Sequence, residues 1–355
     1  MASVDPDKQV VLAFASSIGV SVTNWHRHYC DIPHGGELDI SDPIARVKGR
    51  SWRLGDMLAR WSHRWYGSAW SRGIPVWSDY GLMRALPAKG PFVVHCIFGE
   101  FFSPKWADAI HRRGGKIVVN VHSSVRRWRQ VWTRPDGYAC ADAVVLTSEC
   151  QRPLVEVDVP RERVRTILYG AMSDYFTPAG GRIPHEKLRL FMLGDTERDH
   201  EKAAAVAAQL PADRFEWRVR TNSHLVRVYE GIPCVKVLPR LSDEEMREEY
   251  RQADLMAMPM LDSAANRGFL DSMCCGTPVM TNRIGGVDEY VPAGCNVVMG
   301  NDAPVEAWVE RLEQLAADRE LLEAMRPAAR KWAELLDWRN IIPLYSALHR
   351  ELLEA

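Results

Sequence analysis

The chain has 355 residues, of which 46% are hydrophobic and 26% are charged, a composition typical of a folded globular protein. This length is too great for one ordinary hydrophobic core and indicates two domains. No run approaches the roughly 18 apolar residues that a membrane-spanning helix needs, and the first residues are acidic where a signal peptide would be basic. The eight cysteines include no Cys-x-x-Cys pair, which argues against a zinc site and favours a cytoplasmic location.

Charge is divided unevenly along the chain. Residues 1–172 carry 23 lysines and arginines against 16 aspartates and glutamates, whereas the remainder carries 22 against 30. This asymmetry favours two domains with different functions, the first of which contacts an anionic molecule. A basic surface that only improves solubility explains the same counts, so both interpretations stay open.

The first half alternates apolar runs with helical patterns. Apolar runs of this length, separated by helices, are typical of a parallel sheet covered on both faces, so a Rossmann-like domain is predicted. Gly19 follows the first run, where a sheet of this kind opens its ligand site. The predicted strands are residues 10–15, 91–98, 116–121, 143–148 and 164–169.

The alternation restarts after residues 177–181, whose Thr-Pro-Ala-Gly-Gly composition is typical of a linker. A second Rossmann-like domain is therefore predicted, with a ligand site between the two domains. Its expected strands are 188–193, 216–221 and 234–238, and its expected helices are 201–209, 243–251, 304–318 and 320–335. The expected organisation is an acceptor domain at 1–172, a donor domain at 173–337 and a C-terminal helix at 338–355.

Residues 253–291 carry the densest set of functional signals. An apolar run ends at Pro259, Asn266 is a candidate N-cap for the helix that follows, Gly276 ends that helix, and a second apolar run leads to Gly285. The N–H groups and the positive dipole end at the start of such a helix attract anions. A diphosphate is the expected guest.

The same segment resembles the donor-binding segment of family 4 glycosyltransferases of the GT-B fold, through Gly276-Thr277-Pro278 and Gly285-Gly286. The resemblance implies two Rossmann-like domains that face a cleft and a C-terminal helix that crosses back to the first domain. In the family, two glutamates with seven residues between them contact the transferred sugar and the ribose. Ser263 and Asp271 stand at these positions, and Asp271 keeps a carboxylate for the ribose. The predicted donor site also includes Asn266, Arg267, Gly268 and Gly19.

In the family, the glycine that matches Gly194 is followed by an arginine and, five residues later, a lysine. These two cations bind the diphosphate. Asp195 and His200 occupy these two positions here, and Arg198 and Lys202 are the candidate replacements. The alternating charges around them are equally typical of a solvated helix start.

Two strands of the first domain match strands that end in a histidine at the family's active site. The resemblance makes His122 the catalytic candidate, since the matching histidine lies beside the transferred sugar. His95 ends the other strand and is a candidate acceptor contact, together with Arg126 and Arg127. A histidine at a strand end also commonly bonds to the backbone without contacting a ligand.

The resemblance implies a hexosyltransferase that uses a nucleoside diphosphate sugar, retains the anomeric configuration and needs no metal or other cofactor. Bacterial envelope glycan or natural-product biosynthesis is the expected setting. The departures at Ser263, Asp195 and His200 leave two alternatives open. One is a GT-B protein without transfer activity that acts as a partner or regulatory subunit, and the other is a sugar-nucleotide epimerase.

Arginines and tryptophans interleave within residues 46–72 and again within 126–132. One interpretation is an anionic acceptor, lipid-linked or at the inner face of a membrane, and the other is a core-facing helix with solvated arginines. A small neutral acceptor would have no use for this charge. Nucleic acid is not expected, because no recognised binding motif accompanies the arginines. Salt-sensitive sedimentation with anionic vesicles would distinguish these interpretations.

Overall fold

The structure, a computed structural model, describes residues 10–14, 36–39, 86–97, 99, 104, 107–131, 138–181 and 185–355. The chain forms two compact units. The first extends to Leu168 and resumes with Arg339–Ala355, and the second is Tyr169–Trp338. Residues 177–181, which the sequence indicated as a linker, lie inside the second unit, where the Arg251 guanidinium donates to the Thr177 carbonyl over 2.7 Å.

The first unit is built on a parallel sheet. The described strands are β1 (Val10–Phe14), β2 (Gly36–Asp39), β3 (Phe92–Cys96), β4 (Gly115–Val121), β5 (Ala143–Leu146) and β6 (Val164–Thr166). They pair in the order β2-β1-β3-β4-β5-β6, and β3 is buried along its whole length. The described helices between them are α1 (Ala107–His111), α2 (Val125–Val131) and α3 (Arg152–Val155), with 3-10 turns at Glu149–Gln151 and Arg161–Arg163.

The second unit contains the other parallel sheet. Its strands are β7 (Leu188–Leu193), β8 (Phe215–Arg220), β9 (Val235–Val237), β10 (Leu255–Ala257), β11 (Val279–Asn282) and β12 (Val297–Met299). Its helices are α4 (His200–Ala207), α5 (Ser223–Val226), α6 (Asp243–Gln252), α7 (Arg267–Cys274), α8 (Val287–Tyr290), α9 (Val305–Ala317) and α10 (Arg319–Leu335), with a 3-10 turn at Arg227–Tyr229. Helix α11 (Trp338–Glu354) then begins at the edge of this unit and continues in the first.

Strand order in the second sheet locates its ligand-binding edge. The order is β12-β11-β10-β7-β8-β9, so the chain builds outward from β7 in one direction and then returns to build outward from β10 in the other. In open α/β sheets, ligands bind outside the carboxyl ends of the strands at such a reversal. The loops after β7 and β10 are therefore the ones that position a site.

The prediction of an α/β fold with parallel sheets is confirmed. The helix at α6 begins and ends within one residue of the expected bounds, and β7 matches them. Strands β2 and β12 were not expected, because three or four residues are too few for a recognisable pattern. In the described part of the chain, no helix is both long enough and apolar enough to cross a membrane.

The two ends of the second unit are joined to each other. The Ala171 N–H donates to the Leu336 carbonyl over 2.7 Å, and the Trp338 N–H donates to the Ala171 carbonyl over 3.1 Å. The Ser173 hydroxyl donates to the Asp337 carboxylate. The second unit is thus a continuous segment whose start and end are paired, whereas the first is made of two separate segments.

Candidate functional site

Two loops meet at the carboxyl edge of the second sheet. Residues 194–199 follow β7 and residues 258–266 follow β10. The Asp199 N–H donates to the Pro259 carbonyl and the Leu261 N–H donates to the Glu197 carbonyl, both over 2.9 Å. Gly194 has φ +93 and Glu197 has φ +60, so the first loop turns twice through the left-handed region. These turns bring residues 195–199 alongside the second loop.

Arg198 connects the two loops. Its Nε donates to the Leu193 carbonyl over 3.2 Å, its Nη1 to the Thr196 carbonyl over 2.5 Å, and its Nη2 to Asn266 Oδ1 over 3.3 Å. A Cβ on Gly194 would lie 3.1 to 3.2 Å from the guanidinium, so the absence of a side chain there lets the group fit. Among the described residues no carboxylate forms an ion pair with Arg198, and burial lowers its pKa.

Asn266 begins helix α7 as its N-cap. Its Oδ1 accepts from the Gly268 N–H over 3.0 Å, which satisfies one of the amides that a helix start leaves without an internal partner. A Cβ on Gly268 would lie 3.2 Å from that oxygen. The Arg198 guanidinium therefore lies at the positive end of the α7 dipole, which makes this edge of the sheet strongly favourable for an anion.

Arg267 and Asp271 form an ion pair on the first turn of α7. Arg267 Nε donates to Asp271 Oδ2 over 3.0 Å, and the side chain of Arg267 is 26% exposed whereas that of Asp271 is 1% exposed. Within the described part of the chain, Asp271 Oδ1 and the Tyr250 hydroxyl have no hydrogen-bond partner. Burial raises the pKa of Asp271 to about 6, and Arg267 opposes that rise.

Ser263 lies in the loop after β10, against the turn at Gly285-Gly286. The Gly286 N–H donates to the Ser263 carbonyl over 2.7 Å, and Gly285 has φ +54. The Ser263 N–H donates to Asp262 Oδ1 over 2.8 Å. Gly285, which the sequence singled out together with Gly286, thus allows a close backbone approach beside the site.

Asn282 was missed by the sequence analysis. Its amide pairs with both backbone groups of Met260: the Met260 N–H donates to Asn282 Oδ1 over 2.7 Å, and Asn282 Nδ2 donates to the Met260 carbonyl over 3.0 Å. It therefore fixes the loop after β10 to the end of β11. The sequence did contain a signal for this role, because Asn282 is a polar residue at the end of an apolar strand.

Lys202 lies away from Arg198 in this arrangement. Its ammonium is 6.0 Å from the centre of the Trp308 ring, where helix α4 packs against α9. Asp195 accepts from the Asn222 N–H over 2.9 Å and from the Thr221 hydroxyl, which ties the end of β7 to that of β8. The structure thus brings Arg198, Asn266, Arg267 and Gly268 together, and it places Lys202 elsewhere.

His200, at the family's lysine position, is buried. Its ring hydrogen-bonds through Nδ1 to the Tyr229 hydroxyl over 2.7 Å and through Nε2 to the Gly194 carbonyl over 3.0 Å. A carbonyl only accepts, so Nε2 carries the proton and Nδ1 accepts from the tyrosine. Burial lowers the pKa of His200. The residue stabilises the turn at Gly194 and adds no positive charge there.

The catalytic candidate of the first unit follows β4. His122 Nε2 lies 2.8 Å from the Ile97 carbonyl, which only accepts, so this nitrogen donates. Arg126 and Arg127 are on α2, where Arg126 is exposed and Arg127 is half-buried. Gly19, the 46–72 cluster and Trp132 lie outside the described residues.

His95 is fully buried in the first unit. Its Nε2 donates to Asn120 Oδ1 over 3.0 Å, and its Nδ1 accepts from His349 Nε2 over 3.1 Å. Asn120 Nδ2 donates in turn to the Tyr345 hydroxyl over 2.9 Å. Burial lowers the pKa of His95 to about 4. Both ring nitrogens are therefore used to join β3 and β4 to α11, which differs from the acceptor contact that the sequence suggested for His95.

No cluster of three or more histidine, cysteine, aspartate or glutamate side chains suited to a metal ion occurs in the described ranges. Positive groups at the carboxyl edge of the second sheet include Arg198, Arg267 and the start of α7. This arrangement is suited to holding a group with two negative charges.

Comparison with known proteins agrees with this fold. The chain is 31% identical over 148 residues to sulfoquinovosyl transferase of Arabidopsis thaliana, which covers 40% of this chain and 29% of that protein. It is 30% identical over 119 residues to D-inositol 3-phosphate glycosyltransferase of Corynebacterium urealyticum, covering 34% of this chain and 28% of that protein. These alignments thus span less than a third of the length of either relative.

A solved structure extends the fold comparison to nearly the whole chain. The Anabaena protein HepE, in complex with UDP, aligns over 97% of this chain and 100% of its own with a TM-score of 0.70 at 12% identity. Residues 182–332 match the model of the family described as glycosyl transferases group 1. The chain therefore has the GT-B fold, and over most of its second unit it is similar to group 1 glycosyltransferases.

Proposed function

We propose that the protein is a glycosyltransferase that takes a sugar from a nucleoside diphosphate sugar and transfers it to an acceptor hydroxyl. The observation that carries the proposal is the guanidinium of Arg198 at the start of α7, on the reversal edge of the second sheet. The match of residues 182–332 to group 1 glycosyltransferases supports the same assignment. The Anabaena neighbour in complex with UDP supports a diphosphate ligand.

The proposed mechanism follows from where charge develops. When the bond between the anomeric carbon and the diphosphate breaks, negative charge grows on the departing phosphate while the sugar becomes cationic. Arg198 and the amides of α7 stabilise that charge without a metal ion. We assign the reaction to retaining hexosyl transfer, with His122 of the first unit acting near the sugar. The acceptor proton leaves to a phosphate oxygen or to a nearby group, and no general base is assigned.

Arg198 provides the first test. We expect Arg198→Gln to weaken binding of the preferred nucleotide among UDP, GDP, ADP and TDP by about 10- to 100-fold, because a charged hydrogen bond contributes about 1.5 to 3 kcal/mol. Lys202→Gln is the matched control, since the Lys202 ammonium lies over Trp308, and its affinity should stay near wild type. Calorimetry measures both.

The outcomes of this test separate the site from the function. If none of the four nucleotides binds the wild-type protein, the proposed function is wrong. If a nucleotide binds and Arg198→Gln retains full affinity in a folded protein, the ligand lies elsewhere than the start of α7.

His122 provides the second test. We expect His122→Ala to lower turnover by about 100-fold, the lower part of the range for a positioned proton-transfer or electrostatic group, while nucleotide affinity stays unchanged. His111→Ala is the control, because His111 is a partly exposed histidine of the same unit that pairs with Asp142 over 2.9 Å. Full turnover by His122→Ala would remove His122 from the site.

A GT-B protein without transfer activity is the second candidate. At the two positions where the family has its cations, this chain has Asp195 and His200, and both side chains form hydrogen bonds within the fold. This observation favours a protein without transfer activity. Such a protein would bind the nucleotide sugar and release no product. An epimerase would convert the donor sugar in the absence of any acceptor, so product analysis with and without acceptor separates the three.

For the acceptor, we propose a hydroxyl compound, small or lipid-linked, with anionic groups near the arginines of α2. Helix α2 carries Arg126, Arg127 and Arg129 and has no acidic residue in its first turn. The protein would act in the cytoplasm or at the inner face of a membrane, in envelope glycan or natural-product biosynthesis. Sedimentation with anionic vesicles at low and high salt tests the lipid-linked form.

A further inference from the structure

Arg267 occupies an unusual place for an arginine. It is the first residue of α7, at the positive end of the helix dipole, where a cation is disfavoured unless a nearby anion compensates. Asp271, one turn later, supplies a compensating carboxylate through the 3.0 Å contact with Arg267 Nε. Of this pair, the arginine is the member that reaches the surface, with 26% of its side chain exposed against 1% for the aspartate.

Asp271 itself is placed poorly for contact with a ribose. The carboxylate is buried, and its Oδ2 is already bonded to Arg267. Its Oδ1 has no hydrogen-bond partner in the described part of the chain, and the same holds for the Tyr250 hydroxyl. Aspartate is also one methylene shorter than the family's glutamate. The carboxylate therefore holds the guanidinium in place from inside the fold.

Two arginines thus adjoin the same N-cap residue. Arg198 reaches Asn266 from the loop after β7, and Arg267 follows Asn266 directly in the chain. The Asp271 carboxylate pairs with Arg267, and in the described part of the chain no carboxylate forms an ion pair with Arg198. Two arginines at the start of one helix suit a ligand with two adjacent phosphates.

We propose that Arg267 contacts the diphosphate as the second cation of the donor site, and that Asp271 is a positioning residue that holds Arg267 and does not itself bind the ribose. The proposal rests on the proposed function, since it requires a nucleoside diphosphate at the start of α7. Arg267 would supply the charge that His200 does not provide at the family's lysine position.

Inorganic pyrophosphate is the discriminating probe, because it has no ribose. The affinity of pyrophosphate is measured on the whole chain, by competition with the nucleoside diphosphate that binds wild type best. We expect Arg267→Gln to weaken pyrophosphate by about 10-fold or more, and Arg267→Lys to weaken it less, since lysine keeps the charge. Asp271→Asn should also weaken pyrophosphate. A residue that contacted only the ribose would leave this affinity unchanged.

A double variant tests whether Asp271 acts through Arg267. If it does, Arg267→Gln/Asp271→Asn binds the nucleotide no more weakly than Arg267→Gln alone. If Asp271 binds the ribose directly, the two effects multiply, and the proposal is overturned. Arg283→Gln is the matched control, because Arg283 forms a 3.0 Å ion pair with Asp288 in the same unit and is 63% exposed.

The remaining outcomes separate this proposal from the proposed function. If wild type binds a nucleotide and Arg267→Gln binds it equally well, the function stands and the role of Arg267 is wrong. If wild type binds none of the four nucleotides, the proposed function is itself wrong. If Asp271→Asn does not fold, Arg267→Gln and Arg267→Lys still decide whether Arg267 contacts the diphosphate.

Discussion

Replacing Gly285 with alanine is expected to destabilise the second unit by about 3 kcal/mol or more, at the high end for a single substitution. A Cβ at this position would lie 1.9 Å from the Ser263 carbonyl oxygen and 2.8 Å from Asp262 Oδ1. The Ser263 oxygen belongs to the backbone and also accepts from Gly286, so it cannot rotate away as a side chain would. The φ of +54 adds strain for any residue with a Cβ.

The loop that carries Ser263 would have to move, so nucleotide binding is expected to be lost together with stability. Urea unfolding followed by circular dichroism measures the first effect, and a thermal-shift assay with nucleotide measures the second. Gly294→Ala is the matched control, because a Cβ there meets nothing within 4 Å. Equal stability of the two variants would show that the turn at Gly285 accommodates a side chain and that the close approach to Ser263 is not required.

Replacing Asp271 with asparagine is expected to alter the pH dependence of stability by about 3 kcal/mol, the free energy that separates a pKa of 3.8 from one of about 6. Burial is the main cause of the higher value, and the ion pair with Arg267 opposes it. A carboxyl with a higher pKa in the folded state binds its proton more tightly when folded. Its contribution to stability is therefore complete below about pH 4 and is lost as the pH rises through about 6.

The amide does not titrate, so comparison of the two proteins isolates this carboxyl. The free energy of unfolding of wild type, relative to Asp271→Asn, should fall by about 3 kcal/mol between pH 4 and pH 7. Asp288→Asn, at an exposed ion pair with Arg283, is the control and should change the free energy of unfolding by no more than about 1 kcal/mol. A difference for Asp271→Asn that stays flat, or rises with pH, would contradict a buried and poorly compensated carboxylate.

Local signals in the sequence predicted the parts of the site that local chemistry determines. Asn266 was expected to cap a helix and does so through the Gly268 N–H. The sequence also singled out Gly285, and the structure explains why: its backbone approaches Ser263. A helix cap depends on a few neighbouring residues, so its pattern is readable without knowledge of the fold.

Interactions between distant segments could not be predicted in the same way. Arg198 and Lys202 were equal candidates from the sequence. In the structure, Arg198 reaches Asn266, whereas the Lys202 ammonium lies over Trp308. The spacing of Arg267 and Asp271 suits a helical ion pair, but their unequal exposure depends on how α7 packs. Sequence therefore indicated which residue types form the site, and packing determined their roles.

His95 shows the same limit in the first unit. A histidine at the end of a parallel strand is equally consistent with ligand contact and with a structural bond. The deciding partner, His349, is 254 positions later in the chain, on α11. No pattern within either segment indicates the other.

This pairing affects the order in which the two units fold during synthesis. Domains generally fold as units while the chain emerges from the ribosome, the N-terminal one first. Here the first unit lacks the partners of His95 and Asn120 until α11 has been made, since His349 and Tyr345 are near the end of the chain. The second unit, a continuous segment from Tyr169 to Trp338, has all its residues earlier. The unit that begins second is therefore the first to be complete, and the basic first unit remains the more exposed to chaperones and proteases.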